Sequence, residues 1–175
     1  MPIEVELVDS VCQWFKNKYY SKDRLLLIHE EVSGRGGRRP DILIVVSDLY
    51  KSYIDNVCMI TVEIERLTKG AIHSPKHGLR QLRKYPGHFN YLTIPSTITK
   101  RRTFNEIKKR CLDQGAGLLI VEYNTNKVYC ELTPKKKIPN RTLRTYPVAL
   151  KRWIALRKSG DSYRRVSRRR IIERL

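Results

Sequence analysis

Nowhere does this 175-residue chain run to the roughly 20 consecutive apolar positions that a membrane-spanning helix needs, so a role inside a bilayer is not expected. CxxC spacing is absent as well. Cys12, Cys58, Cys111 and Cys130 stand far apart, which argues against a zinc knuckle or a disulfide framework and points to free thiols in a reducing compartment. The opening MPIEVELVDS has acids where a signal peptide would have basic and then apolar residues, so the cytosol is the expected location. No internal repeat is visible. Acids are scarce too: 17 Asp and Glu stand against 36 Lys and Arg, a net charge of +19, and this excess implies a polyanionic partner.

The imbalance is uneven. Residues 133–175 contain 15 basic and 2 acidic residues, whereas 11 of the 17 acids fall within the first 65 positions. Acids retained in a protein suited to approach phosphate need a reason. A hydrophobic content of 41% with ten tyrosines excludes a wholly disordered chain, and the length suits one domain with an appendage. The core is expected over residues 1–132, and a basic helical extension over 133–175.

Ile3, Leu7, Val8, Val11 and Phe15 recur at helical spacing and predict an amphipathic helix over about 3–19. Strands are expected over 23–32, 40–46 and 57–65 as an antiparallel meander, with the loop SGRGGRR between the first two. Ser74-Pro75 starts a helix that Pro86 closes after about three turns. A strand at 91–94, a helix over 104–113, and strands over 118–123 and 127–132 complete the core. A helix over 147–158 follows, then a break at Ser159-Gly160 and a final arginine-rich helix.

Alternation along VCMITVEIE puts Glu63 and Glu65 on one face of the third strand, and the hairpin brings Asp41 beside Glu63. Such acids repel one another unless a cation lies between them, and Mg²⁺ or Mn²⁺ prefers an oxygen-rich setting of this kind. Glu4 adds a fourth acid. It precedes Leu7 and Val8 by three and four residues, which places it on the helix face turned to the sheet.

A helix bearing an acid, a Gly/Arg loop, Pro40-Asp41, then Glu63-x-Glu65 and a helix with Gln81 and Tyr85 one turn apart resembles the PD-(D/E)XK nuclease superfamily over residues 3–132. Within it, archaeal Holliday-junction resolvases and archaeal-viral nucleases are the most similar. The resemblance implies an α/β fold, a restriction-endonuclease-like mixed central sheet flanked by helices. It also implies a metal-dependent DNA endonuclease that uses Mg²⁺ or Mn²⁺, with Asp41, Glu63 and Glu4 at the metal and Glu65 and Gln81 completing the catalytic set. Many relatives act as homodimers.

Where the family usually has lysine, this chain has Glu65. Glu65 as general base or as water-mediated ligand remains open, as does supply of an ammonium by Lys69, Lys76 or Lys84. Arg35, Arg38 and Arg39 in the loop, Lys69, Lys76, and Arg164, Arg165, Arg168, Arg169 and Arg170 in the tail are the candidate contacts to DNA phosphates. His73 and His77 lack a third ligand nearby and suit phosphate contact or plain surface better than metal. The alternative to the enzyme is a nucleic-acid-binding protein that keeps the fold without catalysis.

Overall fold

A computed structural model describes residues 4–19, 24–48, 57–65, 67–68, 71–72, 75–100, 102–122, 124–139, 142–164 and 171–174. In chain order the elements are α1 (Glu4–Lys18), β1 (Arg24–Glu30), β2 (Ile42–Asp48), β3 (Cys58–Ile64), β4 (Leu67–Thr68), β5 (Ala71–Ile72) and α2 (Pro75–Leu82). Then follow β6 (Phe89–Pro95), α3 (Thr103–Gln114), β7 (Gly117–Val121), β8 (Val128–Leu132), α4 (Pro147–Arg164) and β9 (Ile171–Arg174). Among the described residues seven strands form one sheet in the order β8-β7-β6-β3-β2-β1-β9, and β4 with β5 makes a separate small hairpin.

The apolar runs of β1 and β2 have no polar face to give to water, so they must be covered on both sides. The fold does this with helices. On one face α1 presents Leu7, Val11, Cys12 and Phe15 to Leu26, Ile28, Ile44, Ile60 and Val62. On the other, Ala149 and Trp153 of α4, with Leu143 and Tyr146 just before it, cover Leu25, Leu27, Leu43, Val45 and Met59. Beside them Leu79 and Leu82 of α2 and Ile107 and Cys111 of α3 pack on Leu92, Ile94, Leu118 and Ile120. The buried Trp153 indole donates to Ser47 Oγ at 2.9 Å, which ties α4 to β2.

Strands β1, β2 and β3 are antiparallel neighbours, the expected meander. The two crossovers that carry α2 and α3 make β6 parallel to β3 and β7 parallel to β6, while β7 and β8 form a hairpin. The α/β class expected from the sequence is observed: a mixed central sheet flanked by helices, in a restriction-endonuclease-like arrangement. Gly115, at φ +65°, ends α3 in the left-handed conformation that favours glycine. Among the described residues no helix is long and apolar enough to cross a membrane.

Three expectations need correction. Helix α2 stops at Leu82 instead of reaching Pro86, because Lys84 N–H bonds to Gln81 O and Tyr85 N–H to Leu82 O in tighter turns. Helix α4 runs unbroken through Ser159-Gly160, since one glycine costs a helix only about 1 kcal/mol and the helical bonds on either side outweigh it. The final segment is no helix at Ile171–Arg174: it is a strand, β9, parallel to β1. β-branched Ile171 and Ile172 suit the open edge of a sheet, where backbone groups await partners.

Candidate active site

Strand β3 lies in the middle of the sheet, so both its faces are buried, including the one that bears Glu63 and Glu65. Glu63 has Leu92 of β6 as its register partner on one side. On its own strand it shares a face with Met59, which belongs to the cluster under α4. It therefore occupies the seam between the α4 layer and the α2–α3 layer, 6% exposed. Its Oε1 is buried and has no hydrogen-bond partner among the described residues. A carboxylate in that position is costly to ionise: burial, then repulsion by Asp41, pushes Glu63 up to about 8.

Asp41 arrives from the neighbouring strand. Pro40 before it is buried, and Ile42 pairs with Val62, which sets Asp41 beside Glu63 as the hairpin predicts. Asp41 Oδ2 accepts the Ile64 N–H at 2.6 Å. Burial raises its carboxyl above the ordinary range and Glu31 adds to this, while the Ile64 bond works in the opposite direction.

Glu65 is also buried, 7% exposed, and its Oε1 accepts the Gly78 N–H at 2.8 Å. The carboxylate thus sits in the first turns of α2, where the helix dipole favours negative charge. Burial nevertheless dominates and pushes Glu65 up to about 7, with Gly78 lowering it and Asp41 raising it. A Cβ at Gly78 would collide with Glu65 Oε1 and stand 3.0 Å from Leu92 Cδ1, so only glycine allows this close approach.

Two tyrosines close the seam. The Tyr85 hydroxyl donates to Arg39 O at 3.0 Å and lies beside Glu63, which together with burial raises its pKa. Tyr146, fully buried at the approach to α4, has a hydroxyl with no partner among the described residues. Burial and Glu63 raise its pKa and Arg38 opposes them, so this hydroxyl feels both the acids and the loop. Sequence inspection passed over Tyr146. It lies in the segment assigned to the basic extension, and no periodicity or motif links it to Glu63.

The other candidate residues divide sharply. Arg38 is fixed by its Nε to Lys84 O at 2.9 Å and its Nη1 to Arg35 O at 2.8 Å. Arg39 forms an exposed ion pair with Glu31 at 2.7 Å, and Arg35 is exposed, its N–H bonded to Thr145 O. Gln81 is half-buried on α2, Lys84 is exposed in the turn beyond it, and His77 is exposed. Glu4 opens α1, Lys76 lies in α2 and Arg164 ends α4, but their side chains fall outside the described residues. Lys69, His73, Arg165, Arg168, Arg169 and Arg170 lie outside them entirely.

The donor set suits a hard divalent cation. Asp41 is close enough to raise the affinity of Glu63 for a proton, while the hydrogen bond from Glu63 lowers that of Asp41, and one Glu63 oxygen is buried without a donor among the described residues, the situation a bound cation relieves. Among the described residues, no three His, Cys, Asp or Glu side chains form a metal-binding group, so the fit rests on this pair.

No protein-family model and no curated protein matches the chain. Among solved structures, an FdxN element excision controlling factor protein from Anabaena variabilis is a distant structural neighbour. The identity is 15%, the TM-score is 0.43, and the match covers 72% of this chain and 97% of that one, too slight a likeness to inform fold or function here.

Proposed function

We propose that this protein is a metal-dependent DNA endonuclease of the PD-(D/E)XK class, hydrolysing phosphodiester bonds with Mg²⁺ or Mn²⁺. The observation that carries the proposal is the buried Glu63 carboxylate beside Asp41, with one oxygen left without a donor. Asp41 and Glu63 hold the cation, which supplies charge stabilisation on the phosphate and makes attacking water more acidic. Glu65 spends one oxygen on Gly78, and its other oxygen, on a carboxyl poised near 7, is suited to take up a proton at neutral pH. Tyr85 and Tyr146 wall the seam against bulk water, and Arg38 holds the loop at its mouth. The excess of cations supplies the grip on DNA phosphates, and a homodimer would let two sites address two strands.

One observation favours a second reading, a DNA-binding protein without catalysis: the residue at the motif's lysine position anchors α2 through Gly78. The deciding experiment incubates supercoiled plasmid and a four-way junction with the full chain in Mg²⁺, Mn²⁺ or EDTA, beside Asp41→Ala and Glu63→Ala. Metal-dependent nicking is expected. Both substitutions should cost more than the roughly 10- to 100-fold typical of losing an outer-shell partner, with DNA binding retained. Binding without cleavage in either metal would establish the second reading.

A further inference from the structure

Tyr85, which lies beside Glu63, also lines a cavity of about 420 Å³ whose lining includes Arg38, Arg83, Lys84, Lys137 and Pro86. Three separate segments build it: the Gly/Arg loop, the turn after α2, and the connector after β8. Each is anchored. Arg38 is bonded to the carbonyls of Lys84 and Arg35, and Lys137 N–H to His88 O at 2.8 Å. Among the described residues no carboxylate lines the cavity and none of its four cations forms an ion pair. The cations crowd one another: burial and the charge of Arg83 lower the pKa of Lys137. Four cationic residues lining one cavity, with no acid among its described lining, leave an excess of positive charge that an anion would relieve.

We propose that this cavity binds the terminal phosphomonoester of a nucleic-acid strand, so that strand ends are held next to the carboxylate pair. The inference deepens the nuclease reading and rests on it for the choice of a nucleic-acid ligand. The cavity is at the small end of the ~300–1,000 Å³ range of ligand pockets, a size that admits a terminal nucleotide and excludes a duplex. A terminal phosphate carries a charge of about −1.5 to −2 at neutral pH, against −1 for an internal diester, and so gains more from converging cations. Pro86 and the Tyr85 ring supply apolar surface for the sugar or base behind the phosphate.

The test measures binding of the full chain, in EDTA, to a short labelled single strand with a 5′-phosphate, a 3′-phosphate or hydroxyls at both ends. One phosphorylated end should bind about tenfold more tightly than the hydroxyl strand, the worth of one added charge-assisted bond. Arg83→Ala and Lys137→Ala should each bring that ratio towards one. Lys109→Ala, which removes an exposed cation on α3, should leave the ratio unchanged. Equal affinity for all three strands, or a ratio that survives both pocket substitutions, overturns the proposal. So does thymidine monophosphate competing at the same concentration as the phosphorylated strand, since the ligand would then be a free nucleotide. Without metal nothing is cut, so a failed nicking assay leaves this ratio intact, and a lost ratio leaves nicking intact.

Discussion

Tyr85 belongs to two regions of opposite chemistry, interacting with Glu63 and lining the cationic cavity. In one, Asp41, Glu63 and Glu65 are held in the seam of the sheet, with Glu63 pushed up to about 8 and Glu65 to about 7 by burial and the charge of Asp41. In the other, Arg83 and Lys84 are exposed, and burial together with the charge of Arg83 lowers the pKa of Lys137. Acids at the end of a central strand are enclosed by whatever covers the sheet and depend on the core for their position. Exposed cations such as Arg83 and Lys84 keep their water and depend on little beyond local backbone bonds. Removing core support should therefore damage the acidic side far more than the basic one.

The largest effect on stability is expected from Trp153→Ala, which empties a buried site under α4 and strips Ser47 of its indole donor. Chemical denaturation should show a loss of about 3–5 kcal/mol. A loss below about 1 kcal/mol would mean that α4 does not brace the sheet beneath Tyr146.

Next in size is the pH response of the acids. Unfolded, Glu63 titrates near the ordinary 4.5, and in the fold near 8, so between these values the folded protein holds the extra proton. Without metal, stability should thus be greatest at the acid end of that window and decline as pH rises through about 8, read as a falling Tm in EDTA. Glu63→Gln should flatten the decline. Added Mg²⁺ should counter it in the native chain, because a carboxylate that binds metal must release its proton. A Tm that rises with pH in EDTA would show that the acids are not strained in this way.

Gly78→Ala sets two effects against each other. Alanine favours a helix by about 1 kcal/mol over glycine, yet here its Cβ would displace the Glu65 carboxylate and press on Leu92. Overpacking typically costs about 1–3 kcal/mol, so a net loss of about 1–2 kcal/mol is expected, and Glu65→Ala in the same chain should recover part of it. A net gain would sever Glu65 from its role in holding α2. At the bottom of the scale Arg83→Ala, on the basic side, should change stability by no more than about 0.5 kcal/mol in the same denaturation experiment. A larger loss would break the contrast between the two sides.

Much of the fold was legible in the residues because it depends on local periodicity. Leu7, Val11 and Phe15 mark α1, the apolar runs mark β1 and β2, and alternation in β3 separates Ile60, Val62 and Ile64 from Glu63 and Glu65. The closeness of Asp41 to Glu63 was legible for the same reason, since neighbouring strands in a meander set the register. The end of the chain was misjudged because Ile171 and Ile172 amid arginines fit either a helix face or an edge strand, and only a free edge of β1 selects the strand.

By itself, then, the sequence determined the α/β class, the meander, the acids at the end of β3 and the excess of positive charge, all properties of composition or of spacing along one segment. Tertiary structure alone decided that the face bearing Glu63 is buried, that Glu65 anchors α2 through Gly78, that Tyr146 reaches the acids and that four cations line one cavity. Each of these joins residues far apart in the chain, and such contacts depend on which helix covers which part of the sheet, information that no local pattern carries.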